Sequence, residues 1–291
     1  MQSPLTHHEA IRVLWLGENV EYGAGMAVMR RAMEDVDTSG AQLLLLEHAP
    51  TITVTRQGGL SHLLASPDEL HDDGIGLVET DRGGNVTFHG PGQLVGYPVV
   101  RLRAGSDGRA DLVGYLRALE RGLIEACARL GVRGCHRKEG MTGVWVASDP
   151  DLSEARWATD ERAAKLVAVG VGVGRGVTRH GFALNVGIDL ARFTRRIVPC
   201  GLVGRPVTSL IEQLGEGAVP DDDTLRRVVA ESVASALGLL PRFSAPLLGS
   251  SASPSAGVDT ASVDPVEPLG EGVPSPRRAS APEHKDGAFH G

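Results

Sequence analysis

The stretch Asp81-Arg82-Gly83-Gly84-Asn85-Val86-Thr87-Phe88-His89-Gly90-Pro91-Gly92-Gln93-Leu94-Val95-Gly96-Tyr97 constrains this chain more than any other. Its paired glycines allow backbone turns and close approaches that a Cβ would forbid. Asn85-Val86-Thr87-Phe88 reads as a short strand that delivers His89 to a tight Gly90-Pro91-Gly92 turn. A cation, a hydroxyl and an imidazole held beside bare backbone suit a pocket floor that grips a ligand. A plain hairpin with an internally satisfied histidine fits the same pattern, and spacing alone does not choose between them.

Composition bounds the rest. With 42% apolar residues, a sizeable core forms without disulfides or a structural metal. The three cysteines, Cys127, Cys135 and Cys200, are odd in number and contain no Cys-x-x-Cys spacing, so neither a secreted disulfide framework nor a metal site is expected. Met1 to Glu9 lacks the apolar core of a signal peptide, and no apolar run is long enough to cross a bilayer. The expectation is a cytoplasmic protein with no membrane partner. A net charge of −7 and only 4% aromatic residues speak against nucleic acid as a partner. Residues 1–243 are expected to form one domain. Residues 244–291, rich in Ser, Pro, Ala and Gly, cannot bury enough surface to offset ordering entropy and are expected to form a disordered tail.

The chain alternates strand-like and helix-like patterns. Ile11–Leu16 reads as a strand, and Tyr22–Val36 as an amphipathic helix whose methionines at 26, 29 and 33 fill a core. Leu43-Leu44-Leu45-Leu46 suits a strand buried on both faces, and β-branched Thr51–Thr55 another. A polar loop over 56–76 leads to a strand at Leu77–Glu79. Pro98–Leu102 continues as a strand, and Asp111 caps a long helix that Gly131 ends. Cys135-His136 and Gly143–Val146 read as strands, with a polar loop through Asp160 after the second. Lys165 opens a strand with glycines at 170, 172 and 174, a face kept bare for something that packs closely. Thr178–Val186 is its partner across a turn at Arg175-Gly176. Helical segments follow at Leu190–Phe193, at Thr208–Leu214 and at Thr224–Leu237, the last capped by Asp223.

Cys200, in a Pro-Cys-Gly turn, is the natural nucleophile, because a thiolate is intrinsically reactive and a nearby ammonium favours it. Lys165, the lone charge before Leu-Val-Ala-Val, can supply that ammonium. His89 or His180 can serve as base instead. A snorkelling lysine and an inert cysteine are the plainer readings of the same residues.

The run Arg82 to Tyr97 resembles the signature of the lipoyl(octanoyl) transferase family. The likeness continues in Leu43–Pro50, Gly143–Val146, Lys165 with Ala168-Val169-Gly170, His180–Val186, and Pro199-Cys200-Gly201-Leu202. It implies an α/β fold related to biotin and lipoate protein ligases, a curved mixed sheet flanked by helices. It implies transfer of octanoyl from octanoyl-acyl carrier protein to a specific lysine, the first step of endogenous protein lipoylation. The acceptors would be lipoyl domains of 2-oxoacid dehydrogenases and the glycine cleavage H protein, and no cofactor is implied. By position, Cys200 carries the acyl thioester and Lys165 is its partner. The substrate site falls on Arg82, Gly83, Gly84, Asn85, Val86, Thr87, Phe88 and His89, on Ala168, Val169 and Gly170, and on Gly181, Phe182 and Ala183. Arg179 departs from the aromatic residue common before the histidine. Arg192, Arg195, Arg196 and Arg205 offer a basic patch for an acidic carrier, or merely a solvated face. The rival readings are an ATP-dependent lipoate or biotin ligase on the same fold, and a non-catalytic protein that binds lipoyl domains or acyl carriers.

Overall fold

The four-leucine run sits in the middle of the molecule and sets its layers. The computed structural model describes residue 5 and residues 9–56, 59–104, 109–199 and 204–244. In chain order the elements are β1 (Ala10–Trp15), α1 (Tyr22–Glu34), α2 (Val36–Ser39), β2 (Ala41–Leu46), β3 (Thr51–Thr55), α3 (Pro67–Asp72), β4 (Gly76–Thr80), β5 (Thr87–His89) and β6 (Gln93–Val99). There follow α4 (Leu112–Arg129), β7 (Cys135–Lys138), β8 (Met141–Val146), α5 (Glu154–Thr159), β9 (Ala164–Gly174), β10 (Val177–Asn185), α6 (Leu190–Arg196), α7 (Leu210–Leu214), α8 (Asp222–Leu237) and β11 (Leu240–Phe243).

An eight-stranded mixed sheet runs β11-β1-β2-β6-β10-β9-β8-β7. Its first three strands are parallel and each later neighbour is antiparallel. A second sheet of order β4-β3-β5 carries the glycine-rich stretch. Alternation along β2 divides the core, because successive side chains point to opposite faces. Leu43 and Leu45 pack in the cluster of α4 and α8, with Leu119, Leu123, Val229 and Val233. Leu44 and Leu46 pack with Tyr22, Met26 and Met29 of α1. All four leucines are fully buried, each contributing roughly 1.5–3 kcal/mol of transfer free energy. The methionine stripe is therefore core, as its helical spacing predicts.

Helix α4 buries Leu119, Leu123 and Cys127 and is capped by Asp111, whose carboxylate accepts from Gly114 N at 2.9 Å. The β9–β10 hairpin turns at Arg175 and Gly176, both at positive φ, which suits the twist of the strands. Several local expectations need correction. Helix α8 starts at Asp222 and is capped by Asp221, which accepts from Thr224 N; Asp223 instead pairs with Arg226 at 2.5 Å. The helix expected through Val36 breaks at Asp35, and α2 adds a separate turn. The presumed loop 56–76 holds α3, started by a Ser66/Glu69 capping box with Pro67 in its first turn. It buries only Leu70, so no apolar period announces it. Helix α5 buries nothing and is equally silent. Strand β11 contains Pro241, yet it pairs with β1 as an edge strand, where the missing N–H is tolerated. The expected tail lies outside the described residues, apart from Ser244.

Candidate functional site

A cavity of about 170 Å³ opens between the Arg82–His89 stretch and strands β9 and β10. It is built on the ladder. Ala168, Val169 and Gly170 pair directly with Ala183, Phe182 and Gly181, so two distant sequence motifs form one wall. The opposite wall is Arg82 to Thr87 with His89, held in place by side chains. Arg82 donates through Nε and Nη2 to Thr53 Oγ1 at 3.1 and 2.9 Å, and through Nη2 to Thr53 O at 2.9 Å. Thr55 donates to Gly84 O at 3.1 Å.

The loop crosses β9 backbone to backbone. A Cβ on Gly83 would lie 2.9 Å from Val171 O, and one on Gly170 would lie 2.7 Å from Gly83 O. Arg179 covers Gly172 in the same way, with Nε 2.6 Å from a virtual Cβ. The bare face of β9 is therefore filled by protein. The cavity lies beside this crossing, with Ala168, Val169 and Gly170 of β9 in its lining. Arg179, the departure from the resembled pattern, also pairs with Asp81 at 2.9 Å.

Phe88 is the exception among the described members of the predicted substrate set. Strand alternation turns Thr87 and His89 to the cavity and Phe88 away, onto Phe193 at 5.8 Å between ring centres. Two cavity-lining atoms, Asn85 Oδ1 and Thr87 Oγ1, are buried without a hydrogen-bond partner among the described residues. Native proteins rarely bury polar atoms unpaired, and such orphans in a cavity wall suit a polar ligand.

Lys165 lines the cavity and is almost fully buried, with Nζ 4.7 Å from the centre of the Trp145 ring. Its main chain is clamped by a downstream segment: Lys165 N donates to Pro206 O at 2.9 Å and Thr208 N to Lys165 O at 3.0 Å. Cys200 lies outside the described residues. On its N-terminal side, Val198 N donates to His62 O at 2.9 Å.

Three histidines ring the site, each with a defined partner. His180, at positive φ, bonds Asp81 Oδ1 at 2.8 Å; burial nonetheless holds its pKa below the ordinary value, outweighing the carboxylate. His48 donates from Nδ1 to Val20 O at 3.0 Å and accepts from Tyr97 at 2.6 Å, and burial lowers it to about 4. His89 bonds Gln93 at 2.7 Å and is lowered to about 3, chiefly by burial and then by His48. All three rest neutral. Tyr22, Tyr97, Met141 and Thr142 also line the cavity and were not foreseen as site residues. Tyr97 closes the signature stretch, but Tyr22 lies far upstream at the start of α1 and nothing local marks it. Among the described residues no cluster of metal-ligating side chains occurs and no helix is long and apolar enough to cross a membrane. Of the arginine patch, Arg192 donates to Asp73 O, Arg196 pairs with Asp73 at 2.5 Å and Arg205 with Glu161 at 3.3 Å; Arg195 is exposed.

A loop laid across two antiparallel strands, with a buried lysine at the cavity between them, makes a ligand-binding site on a mixed α/β sheet. Residues 21–233 match the lipoyl protein ligase A/B catalytic domain. The octanoyltransferase of Geobacter metallireducens is 46% identical over 211 residues, covering 72% of this chain and 86% of that protein. Those of Koribacter versatilis and Mycobacterium tuberculosis are 43% and 41% identical, covering 71% and 80% of this chain and 76% and 90% of theirs. A bi-partite lipoate protein ligase of Thermoplasma acidophilum shares the fold at 15% identity, with a TM-score of 0.64 over 82% of this chain and 87% of that one. The chain belongs to the lipoyl protein ligase A/B family, on its octanoyltransferase branch.

Proposed function

We propose that this chain moves an octanoyl group from octanoyl-acyl carrier protein to a lysine of lipoyl domains through a thioester on Cys200. The observation that carries the reading is Lys165: a buried side-chain amine at a cavity that also exposes unpaired polar atoms, its main chain gripped by the Pro206–Thr208 segment shortly after Cys200 in sequence. The octanoyltransferase relatives supply the acyl group and the class of reaction.

In the first step Lys165 takes the Cys200 proton and the sulfur attacks the octanoyl carbonyl carbon. A C–S bond forms to Cys200, the carrier's C–S bond breaks, and the carrier thiolate leaves with the proton. In the second step the acceptor lysine nitrogen attacks the same carbon. The amide C–N bond forms, the Cys200 C–S bond breaks, and the proton lost by the amine returns to Cys200 by way of Lys165. Backbone N–H groups around the carbonyl oxygen would stabilise the oxyanion. No step calls for ATP. The donor in this reading is octanoyl-carrier, the acceptors are lipoyl domains, including those of 2-oxoacid dehydrogenases and the glycine cleavage H protein, and the compartment is the cytoplasm.

Intact-mass measurement after incubation with octanoyl-carrier alone is expected to show one added octanoyl, mapped to Cys200 and absent in Cys200→Ala. An acyl group on another residue, full transfer by Cys200→Ala, or a requirement for ATP would overturn the reading.

A further inference from the structure

A buried chain of amides fixes which nitrogen of His89 carries its proton. Asn185 Nδ2 donates to the main-chain carbonyl of Thr208 at 2.9 Å, so its Oδ1 faces Gln93. Gln93 Nε2 donates to that oxygen at 3.0 Å and to the carbonyl of Phe88 at 3.2 Å, so its Oε1 faces His89 at 2.7 Å. Two carbonyls, which accept only, thus orient both amides, and His89 must donate from Nδ1. Its Nε2 is left as a lone-pair acceptor on a ring that lines the cavity, without a partner among the described residues.

The chemistry of the two substrates then separates. A fatty-acyl thioester has no N–H on its reacting carbon or sulfur. An acceptor lysine brings N–H groups on the reacting atom itself. We propose that His89 Nε2 accepts a hydrogen bond from the incoming lysine amine and aims its lone pair at the acyl carbon, while Gln93 and Asn185 are positioning residues that hold His89 in that tautomer. This rests on the acyl-enzyme reading above and assigns His89 to its second half. His89 keeps no proton; the one lost by the amine still ends on the Cys200 sulfur. The charged and titratable groups facing the ring are His48, Tyr22, Arg82 and His180, and His48, Arg82 and His180 each disfavour a positive charge on it. The same amide chain ends on Thr208, whose N–H is bonded to Lys165 O, so the acceptor nitrogen and the lysine strand share one rigid frame.

The test separates loading from discharge in the full-length protein. Octanoyl-enzyme formation from octanoyl-carrier is followed by intact mass; the isolated acyl-enzyme is then mixed with a lipoyl domain and its decay timed. His89→Leu is expected to slow discharge at least about tenfold more than loading, and His89→Gln, which keeps an acceptor at the Nε2 position, to restore part of the difference. Gln93→Glu gives a second readout. Its carboxylate stabilises the imidazolium, whose Nε2 donates instead of accepting, so discharge alone gains an acidic limb and falls as pH drops through the new pKa. Equal slowing of both halves by His89→Leu, or in Gln93→Glu either no limb or the same limb in loading, overturns the assignment; Gln93→Glu decides alone if the leucine variant does not fold. Failure of the wild-type protein to load at all is a different result and refutes the acyl-enzyme reading instead.

Discussion

Gly83 and Gly170, 87 positions apart in the chain, touch through their backbones, and a Cβ on Gly170 would sit 2.7 Å from Gly83 O. That contact sets the height of the Arg82–Thr87 wall above β9. Gly170→Ala must push the wall outward or bend β9, because the opposing atom is main chain. Overpacking of this kind costs about 1–3 kcal/mol, and a shift of about 1 Å at a substrate wall costs up to about 100-fold in rate. Octanoyl transfer by Gly170→Ala should fall by at least about tenfold while the chain still folds. Gly217→Ala, with nothing within 4 Å of its virtual Cβ, should leave both stability and rate unchanged. Chemical denaturation and steady-state kinetics on the two variants decide it.

The neutral histidines make the fold acid-sensitive well above the carboxylate range. His48 and His89 are held at about 4 and about 3 against an ordinary 6.5, and His180 also lies below it. A depressed folded pKa means that the unfolded chain binds protons first. The stabilisation is complete above about pH 6.5 and is lost as pH falls towards the folded values. Each such histidine adds up to about 1.4 kcal/mol per pH unit to the slope. Urea midpoints measured from about pH 7.5 down to 5 should fall steeply. His48→Gln, which can still accept from Tyr97, should show a slope shallower by about one histidine's share. Identical slopes in the two proteins would refute the assignment.

How much of this was legible in the sequence differs residue by residue. Leu43–Leu46 announced a strand buried on both faces because period and composition agree there. Lys165 stood out as one charge at the mouth of an apolar strand. The glycine spacing of β9 announced a close approach, but the partner that fills it, Gly83, is set by a long-range crossing that no local pattern encodes. The pairing of Ala168 with Ala183 is of the same kind, as is the arrival of Tyr22 at the cavity. Phe88 follows a rule that was available: one residue between two cavity-facing neighbours on a strand faces away. Helices α3 and α5 bury too little to leave a period, and only the capping box at Ser66 and Glu69 could have signalled the first of them.

The arginines that follow β10 are expected to divide between stability and docking. Arg196 bridges α6 to Glu69 of α3 and to Asp73 at its C-terminal end, and Arg192 reaches the Asp73 carbonyl. These contacts are partly exposed, so Arg196→Gln should cost no more than about 1 kcal/mol, with little change in the Michaelis constant for an acidic carrier. Arg195 is exposed on the same helix. Arg195→Glu should raise that constant at low salt and not at high salt, because exposed charges act through a screened field. Equal effects at both ionic strengths would remove Arg195 from docking.

Trp145 offers the last test, since it is the surface on which Lys165 rests. Its ring is fully buried, with Lys165 Nζ at 4.7 Å from the centroid and Lys138 Nζ at 5.9 Å. A desolvated cation over an aromatic face gains about 1–2 kcal/mol, enough to shift the population of one ammonium position by about tenfold. Trp145→Phe keeps a face and should retain most of the rate. Trp145→Leu removes it and should lower kcat for transfer by roughly tenfold beyond the phenylalanine variant, with the carrier's KM little changed. Packing is lost in both variants, so their melting temperatures should fall together while their rates separate. If the rates fall in step with stability and do not distinguish phenylalanine from leucine, the ring contributes packing alone and Lys165 is placed by its backbone clamp at Pro206 and Thr208.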